Sequence, residues 1–115
     1  MEPPIDHDVL RGFVTECYQA VGVNSEAAEI VADTLVQADL WGHQSHGVMR
    51  LYWYAARLKS GAIDGNARPQ LDNGLGALAT MDGQGGLGQV VAHSAMVHAI
   101  ALSKKHGIGA VSVRN

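Results

Sequence analysis

The sequence predicts an α/β fold, of an α+β-like kind, in which a helical unit precedes a strand–helix–strand segment. In the first 60 residues, apolar side chains recur three and four positions apart, the spacing of helices that bury one face. After a stretch rich in glycine, asparagine, aspartate and proline, two short apolar runs lie on either side of one long apolar segment. This order indicates a βαβ unit and the start of a parallel or mixed sheet.

Three helices are predicted in residues 1–62, which we expect to form the first domain. The first helix ends at Gly22, and Asn24 or Ser25 can cap the second helix, which Gly42 closes. The predicted core face of the first helix is Ile5, Val9, Leu10, Phe13, Val14, Cys17, Tyr18 and Val21.

The second domain is expected to begin at residue 63 and to be incomplete at residue 115. Residues 61–76 read as a loop with at most a short edge strand. The elements predicted after it are a buried strand at 77–81, a glycine-rich loop at 83–88, a helix at 89–106 that is apolar on most sides, and a strand at 108–113. Such a helix is usually covered on several sides.

Composition limits the classes of function. Apolar residues make up 47% of the 115 residues, enough for a core, and the net charge of −3 with no basic run argues against nucleic acid as the main partner. The single cysteine, Cys17, excludes an internal disulfide, fits a reducing compartment and is expected to be buried on the first helix. No apolar run reaches the roughly 20 residues of a membrane span. We therefore expect a cytoplasmic protein with no membrane partner.

The segment Ala38–Tyr54 concentrates the chemically active side chains. A third helix is predicted to begin near Ser45 or His46, with Ser45 as its cap. His46, Arg50 and Tyr54 are four residues apart and would share one face of that helix. The opposite, apolar stripe is predicted to contain Val48, Leu51, Tyr52, Ala55 and Leu58.

These residue types suit a small acid as ligand. The first amides of a helix attract anions, and Gly47 would let an anion approach the backbone closely. Arg50 offers a planar fork that fits a carboxylate, and His46 could exchange a proton with a neighbouring carbonyl or hydroxyl. The alternative from spacing alone is a set of solvent-facing polar residues on an ordinary amphipathic helix.

The segment resembles the opening motif of the type-2 malate/L-lactate dehydrogenase family, which also includes ureidoglycolate and sulfolactate dehydrogenases, diketogulonate reductases and ketimine reductases. The resemblance continues at residues 82–89 and 106–115. The motif residues are Ala38, Asp39, Gly42, Ser45, His46, Gly47, Arg50 and Tyr54.

The resemblance implies an oxidoreductase that uses NAD or NADP, acts on a small 2-hydroxy or 2-oxo acid and forms a homodimer. It also implies that the second domain begins a nicotinamide-binding fold of a non-Rossmann kind. By the same resemblance, His46 is the proton donor and Ser45 its relay, and Arg50 binds the substrate carboxylate. From their positions beside these residues, we expect Gly47 and Tyr54 also to bind the substrate.

Two further patterns allow more than one interpretation. His43 and His46 could form half of a metal site, but zinc needs three or four ligands, so we expect no metal. Gly83, Gly85 and Gly88 satisfy the dinucleotide-binding spacing G-x-G-x-x-G. The next strand ends in Arg114 rather than an acid, and an arginine there could favour a 2′-phosphate. We favour a tight turn with close helix packing, and we assign no cofactor-binding residue.

The chain stops directly after a predicted strand, beyond which ligands of α/β sheets usually collect. The resemblance implies that most of the nicotinamide-binding domain would lie beyond residue 115, so we expect the N-terminal part of a dehydrogenase that is inactive alone. The alternative is a non-enzymatic fragment that serves as a helical interaction or dimerisation module.

Overall fold

The predicted α/β class is confirmed. The computed structural model describes residues 2–115, apart from the side chain of Asn73. The chain forms two compact units, of which the first ends at Asn66 and the second begins at Ala67. The first unit is helical, and the second contains one long helix and a small mixed sheet.

The first unit contains α1 (His7–Ala20), α2 (Ser25–Leu40) and α3 (Leu51–Lys59). Asp6 caps α1 by accepting hydrogen bonds from the first free amides of that helix. Asn24 caps α2 in the same way, which confirms one of the two caps that the sequence allows.

The core of this unit lies between α1 and α2. The apolar face predicted for the first helix is only partly covered, because Val14 and Tyr18 are buried whereas Val9 and Phe13 are 57–68% exposed. Ile5, which was predicted to belong to this face, precedes α1 and is also exposed. The apolar face predicted for the first helix is therefore wider than the part of α1 that contacts α2. Burial raises the pKa of the Tyr18 phenol above its usual range. The expectation that Cys17 is buried is wrong, since Cys17 is half-buried beside this contact.

The second unit contains β1 (Gln70–Leu75), β2 (Leu78–Asp82), α4 (Gly88–His106) and β3 (Ala110–Arg114). The strands lie in the order β1-β2-β3, with β1 antiparallel to β2 and β2 parallel to β3. The predicted βαβ unit is therefore β2–α4–β3, and the suggested edge strand is β1.

One face of α4 packs on this sheet. Val91 and Ala95 are buried against Met81 of β2, with Val111 of β3 beside them. The expectation that α4 is covered on several sides is not met within residues 67–115, where Met96, Val97 and Ile100 remain about half exposed. The helix ends, as predicted, at a left-handed Gly107 with φ of 83°.

None of the helices in residues 2–115 combines the length and apolar character that a membrane crossing requires.

Candidate active site

The segment that carries the predicted site is not one helix. Two short 3₁₀ turns, Gln44–His46 and Val48–Arg50, precede α3, which begins at Leu51. The predicted helix start near Ser45 or His46 is therefore wrong, and Ser45 makes no capping hydrogen bond. The physical reason is Gly47, whose extended backbone (φ −89°, ψ −156°) separates the two turns and interrupts the helical hydrogen-bond series.

The predicted common helical face of His46, Arg50 and Tyr54 is wrong for the same reason, because only Tyr54 lies in α3. A different arrangement connects the first two residues. The Ser45 Oγ lies 2.9 Å from His46 Nδ1, and the Arg50 Nε donates a hydrogen bond of 2.7 Å to the Ser45 backbone oxygen. Ser45 thus contacts both the imidazole and the guanidinium, one through its side chain and the other through its backbone.

These side chains differ in exposure. Ser45 and His46 are exposed, whereas Arg50 and Tyr54 are half-buried. The Tyr54 ring stands edge-on to the Trp53 ring at a centroid distance of 4.9 Å.

The expected burial of Tyr52 is wrong, since this residue is 85% exposed. Tyr52 lies roughly 100° around the helix from Leu51. The half-buried residues of α3 are Leu51, Tyr54, Ala55 and Leu58.

The position beside Gly47 holds a carboxylate of the chain itself. Asp39 Oδ2 accepts a hydrogen bond of 2.9 Å from the Val48 N–H, and the carboxylate occupies the space that a Cβ at residue 47 would need. The carboxylate that approaches the backbone at this glycine is that of Asp39, and a substrate-binding role for Gly47 stays a prediction. Sequence reasoning gave Asp39 no role beyond the motif, although an acid in the last turn of a helix was a signal, because that end favours cations.

Backbone amides of the glycine-rich loop in the second unit donate hydrogen bonds to backbone oxygens of the same unit. The Gly83 N–H donates to the Arg114 oxygen (2.8 Å), the Gly85 N–H to the Asn115 oxygen (3.2 Å) and the Gly86 N–H to the Gly83 oxygen (3.0 Å). A Cβ at Gly83 would lie 2.5 Å from the Asn115 oxygen and 3.0 Å from Val91. This is the geometry of a tight turn that packs closely on α4, and these three amides are not available to a pyrophosphate.

Arg114 is engaged by two carboxylates. Its guanidinium lies 2.9 Å from Asp82 and 3.1 Å from Asp72. The hydrogen bond with Asp72 is the main cause that raises the Arg114 pKa. The Asp82 pKa is lowered, first by the hydrogen bond from the Gln84 N–H and further by Asn115 and Arg114. The arginine that could have favoured a 2′-phosphate therefore already has its charge balanced within the sheet.

An open and mainly apolar cavity of about 150 Å³ lies at the carboxyl end of β3 and the first turns of α4. This is where ligands of α/β sheets commonly bind. Its lining residues are Gly86, Gly88, Val91, Ala92, Val113 and Asn115. Within residues 2–115, no group of three or more histidine, cysteine, aspartate or glutamate side chains is arranged to hold a metal ion.

Comparison with known proteins gives the family. The protein-family model described as malate/L-lactate dehydrogenase matches residues 5–115 of the sequence. The chain belongs to the malate/L-lactate dehydrogenase family. The family predicted from the motif around Ser45 and His46 is therefore confirmed.

Relatives within the malate/L-lactate dehydrogenase family include enzymes named for different acids. A malate dehydrogenase of Pyrococcus abyssi is 43% identical over 111 residues, which are 96% of this chain and 31% of the relative. An L-sulfolactate dehydrogenase of Methanocaldococcus jannaschii is 42% identical over 108 residues, which are 94% of this chain and 29% of the relative.

Solved structures of malate/L-lactate dehydrogenases have the same fold over this region. The malate dehydrogenase of Pyrococcus horikoshii OT3 superposes with a TM-score of 0.94 at 40% identity, over 98% of this chain and 32% of its own. The sulfolactate dehydrogenase of M. jannaschii gives 0.92 at 37% identity, over 96% and 32%. This chain thus spans about a third of the length of the family members that it matches.

Proposed function

We propose that this chain carries the substrate-side part of an oxidoreductase that transfers hydride between a nicotinamide cofactor and a small 2-hydroxy or 2-oxo acid. The observation that supports it most is the pair of contacts that Ser45 makes with His46 Nδ1 and Arg50 Nε. They hold a group able to exchange a proton next to a group able to bind a carboxylate. Membership of the malate/L-lactate dehydrogenase family supports the reaction class.

In this proposal His46 moves the proton of the substrate oxygen. As the imidazolium, His46 donates Nδ1–H to the Ser45 hydroxyl and can give its Nε2 proton to the substrate oxygen, which leaves the neutral ring. In the neutral form with Nδ1–H still donating to Ser45, the Nε2 lone pair can take a proton back as a base. The hydroxyl accepts from Nδ1–H in both forms, which suits a proton that must move in either direction.

Arg50 holds the substrate carboxylate. Its Nε–H is used by the Ser45 oxygen, so a carboxylate would be bound through the two terminal nitrogens. The half-buried Tyr54 would line the site. Gly47 would keep the backbone compact beside the substrate. A nicotinamide would supply or take the hydride, and the loop at 83–88 offers it no phosphate-binding amides at Gly83, Gly85 or Gly86.

The binding step can be tested on the chain itself. We expect L-malate to shift the NMR signals of residues 45–50 in a saturable way, and Arg50→Lys to weaken binding about tenfold, because an ammonium lacks the planar fork. Arg57→Lys, at a residue that stacks over Trp53, is the matched control and should leave the affinity unchanged. Equal affinities of the wild type and Arg50→Lys would contradict the role of Arg50.

The catalytic step needs a cofactor-binding region. In a chimera, this chain would replace the matching third of the P. horikoshii malate dehydrogenase, whose fold it shares. His46→Ala should lower turnover by about 10² or more, the usual size of lost general acid–base catalysis. His43→Ala, also at an exposed histidine, should keep turnover near that of the chimera. Turnover that survives His46→Ala would refute the role of His46.

A second candidate function is a non-enzymatic interaction or dimerisation module. The exposed apolar residues Val9 and Phe13 on α1, with Ile5 just before this helix, favour it, since they lie four positions apart. The malate titration separates the two functions, because a module of this kind would show no saturable shift at residues 45–50.

A further inference from the structure

The carboxyl end of α2 fixes the path of the chain toward the candidate site. The His43 N–H donates to the Ala38 oxygen (2.8 Å) and the Gly42 N–H to the Asp39 oxygen (2.9 Å), with Gly42 in the left-handed region at φ of 80°. This is a Schellman motif, which ends a helix in one defined direction. Residues 47 and 48 consequently pass beside the last turn of α2.

Asp39 makes the contact between that turn and the returning chain. Its Oδ2 accepts from the Val48 N–H at 2.9 Å. A methyl group at the buried Gly47 would lie 2.7 Å from the same oxygen and closer still to Oδ1. Only glycine at residue 47 allows the carboxylate to approach the backbone this closely.

The local environment of Asp39 in α2 does not explain why an acid is present. The last turn of a helix carries a partial negative charge, which disfavours a carboxylate, and the last turn of α2 holds no basic residue. The hydrogen bond from the Val48 N–H is charge-assisted and offsets this cost. The carboxylate therefore stabilises a contact outside its own helix.

We propose that Asp39 is a positioning residue that fixes His46 relative to Arg50. The Gly47–Val48 junction lies between the turn that carries His46 and the turn that carries Arg50. Asp39, on α2, accepts a hydrogen bond from this junction at Val48. The hydrogen bond from Arg50 to the Ser45 oxygen joins the two turns on either side of the junction. The inference rests on the proposed function for what His46 and Arg50 do, but the placement itself can be measured without a substrate.

The ring nitrogen signals of His46 in ¹⁵N NMR report its tautomer and its contact with Ser45. Asp39→Ala should shift these signals toward the average of the two tautomers. Asp39→Asn, whose Oδ1 can still accept from the Val48 N–H, should keep the wild-type pattern. Asp33→Ala, at an exposed acid of the same helix, is the matched control and should also keep it. Asp39→Glu keeps the charge but displaces the carboxylate, so it should shift the His46 signals even if the alanine variant unfolds.

A second measurement uses the collision at residue 47. Gly47→Ala should lower the thermal unfolding midpoint of the wild type, because the new methyl group meets the Asp39 carboxylate. In the Asp39→Ala background, Gly47→Ala should lower the unfolding midpoint by clearly fewer degrees. Unchanged His46 signals in both Asp39→Ala and Asp39→Glu, or fully additive losses in the double variant, would overturn the proposal.

Binding of L-malate distinguishes this inference from the proposed function. Asp39→Ala should weaken malate binding about tenfold, the size of one lost well-placed interaction, and Asp39→Asn should change it by no more than about twofold. If the wild type binds no malate, the proposed function fails, while the His46 signals still decide the role of Asp39. If malate binds equally to the wild type and to Asp39→Ala, the positioning role fails and the proposed function survives.

Discussion

Asn24 shows how one side chain can decide where an element begins. Its Oδ1 accepts a hydrogen bond of 3.0 Å from the Ala27 N–H, whereas the Ser25 hydroxyl accepts one from the Gln19 side chain. Asn24→Ala should therefore lower the free energy of unfolding by about 1 kcal/mol, as measured by chemical denaturation. Ser25→Ala should change it by a few tenths at most, and a larger loss for Ser25→Ala than for Asn24→Ala would reverse the assignment.

Residue types indicated which side chains of the candidate segment lie close together better than they indicated the path of its backbone. Serine, histidine and arginine near one another suggested proton exchange and carboxylate binding, and the structure places Ser45 in contact with both His46 and Arg50. The contact that holds the segment was missed, because Asp39 is eight residues from Gly47. A sequence pattern shows that a glycine permits close approach, but it does not show which group approaches.

Among the helices and strands, local sequence signals predicted the positions of those elements whose backbone hydrogen bonds form within the element itself. Helices α1, α2 and α4 follow from apolar spacing, caps and closing glycines such as Gly107. The start of α3 could not be predicted in this way. The apolar spacing that starts at Val48 predicted one helix beginning near Ser45, yet the path of residues 44–50 depends on the end of α2 and on the Asp39 contact, both of which are tertiary.

An ion-pair network with a predictable pH dependence joins the carboxyl ends of β2 and β3 to the amino-terminal half of β1. Asp82 accepts from the Gln84 N–H and pairs with Arg114, and its pKa is lowered below the ordinary value of 3.8. A lowered folded-state pKa contributes stability that is present above the unfolded pKa and is lost as the pH falls through the folded value. The stability that Asp82 contributes should accordingly disappear in acid.

Asp82→Asn tests this dependence by thermal unfolding. The variant should melt below the wild type at pH 7, and the difference should shrink steadily once the pH falls below about 4. Glu29→Gln, at an exposed residue of α2, serves as the control and should differ little from the wild type at either pH. A difference between wild type and Asp82→Asn that stays constant from pH 7 to pH 2 would mean that the Asp82 charge adds nothing to the stability.

For the whole chain, the sequence pattern predicted the class because the change from helical to strand-like spacing is a property of long segments. It did not predict how much apolar surface each unit leaves exposed. The predicted faces of α1 and α4 are wider than the contacts within their own units, so Val9 and Phe13 in one unit and Met96 in the other stay exposed. Spacing reports which residues are apolar, and only the tertiary arrangement decides how many of them are covered.

The glycine-rich loop leads to a prediction about nicotinamide binding by the 115-residue chain. The amides of Gly83 and Gly85 donate to the backbone oxygens of Arg114 and Asn115, and the Gly86 amide donates to the Gly83 oxygen. The Arg114 side chain is held by Asp72 and Asp82. A pyrophosphate would have to break several of these hydrogen bonds before it could form its own. We expect NADH and NADPH to show no saturable change in nicotinamide fluorescence up to about 1 mM, which corresponds to less than about 4 kcal/mol of binding free energy.

Arg114→Ala separates the two interpretations of this loop. If the loop is a tight turn, the variant should melt at a lower temperature and should still bind neither nucleotide, because it loses only the ion pairs within the sheet. If NADPH binds the wild type tightly and Arg114→Ala weakens that binding more than it weakens the binding of NADH, the arginine recognises the 2′-phosphate. That result would require the loop to open its internal hydrogen bonds on binding, which hydrogen exchange at the Gly83 and Gly85 amides would detect directly.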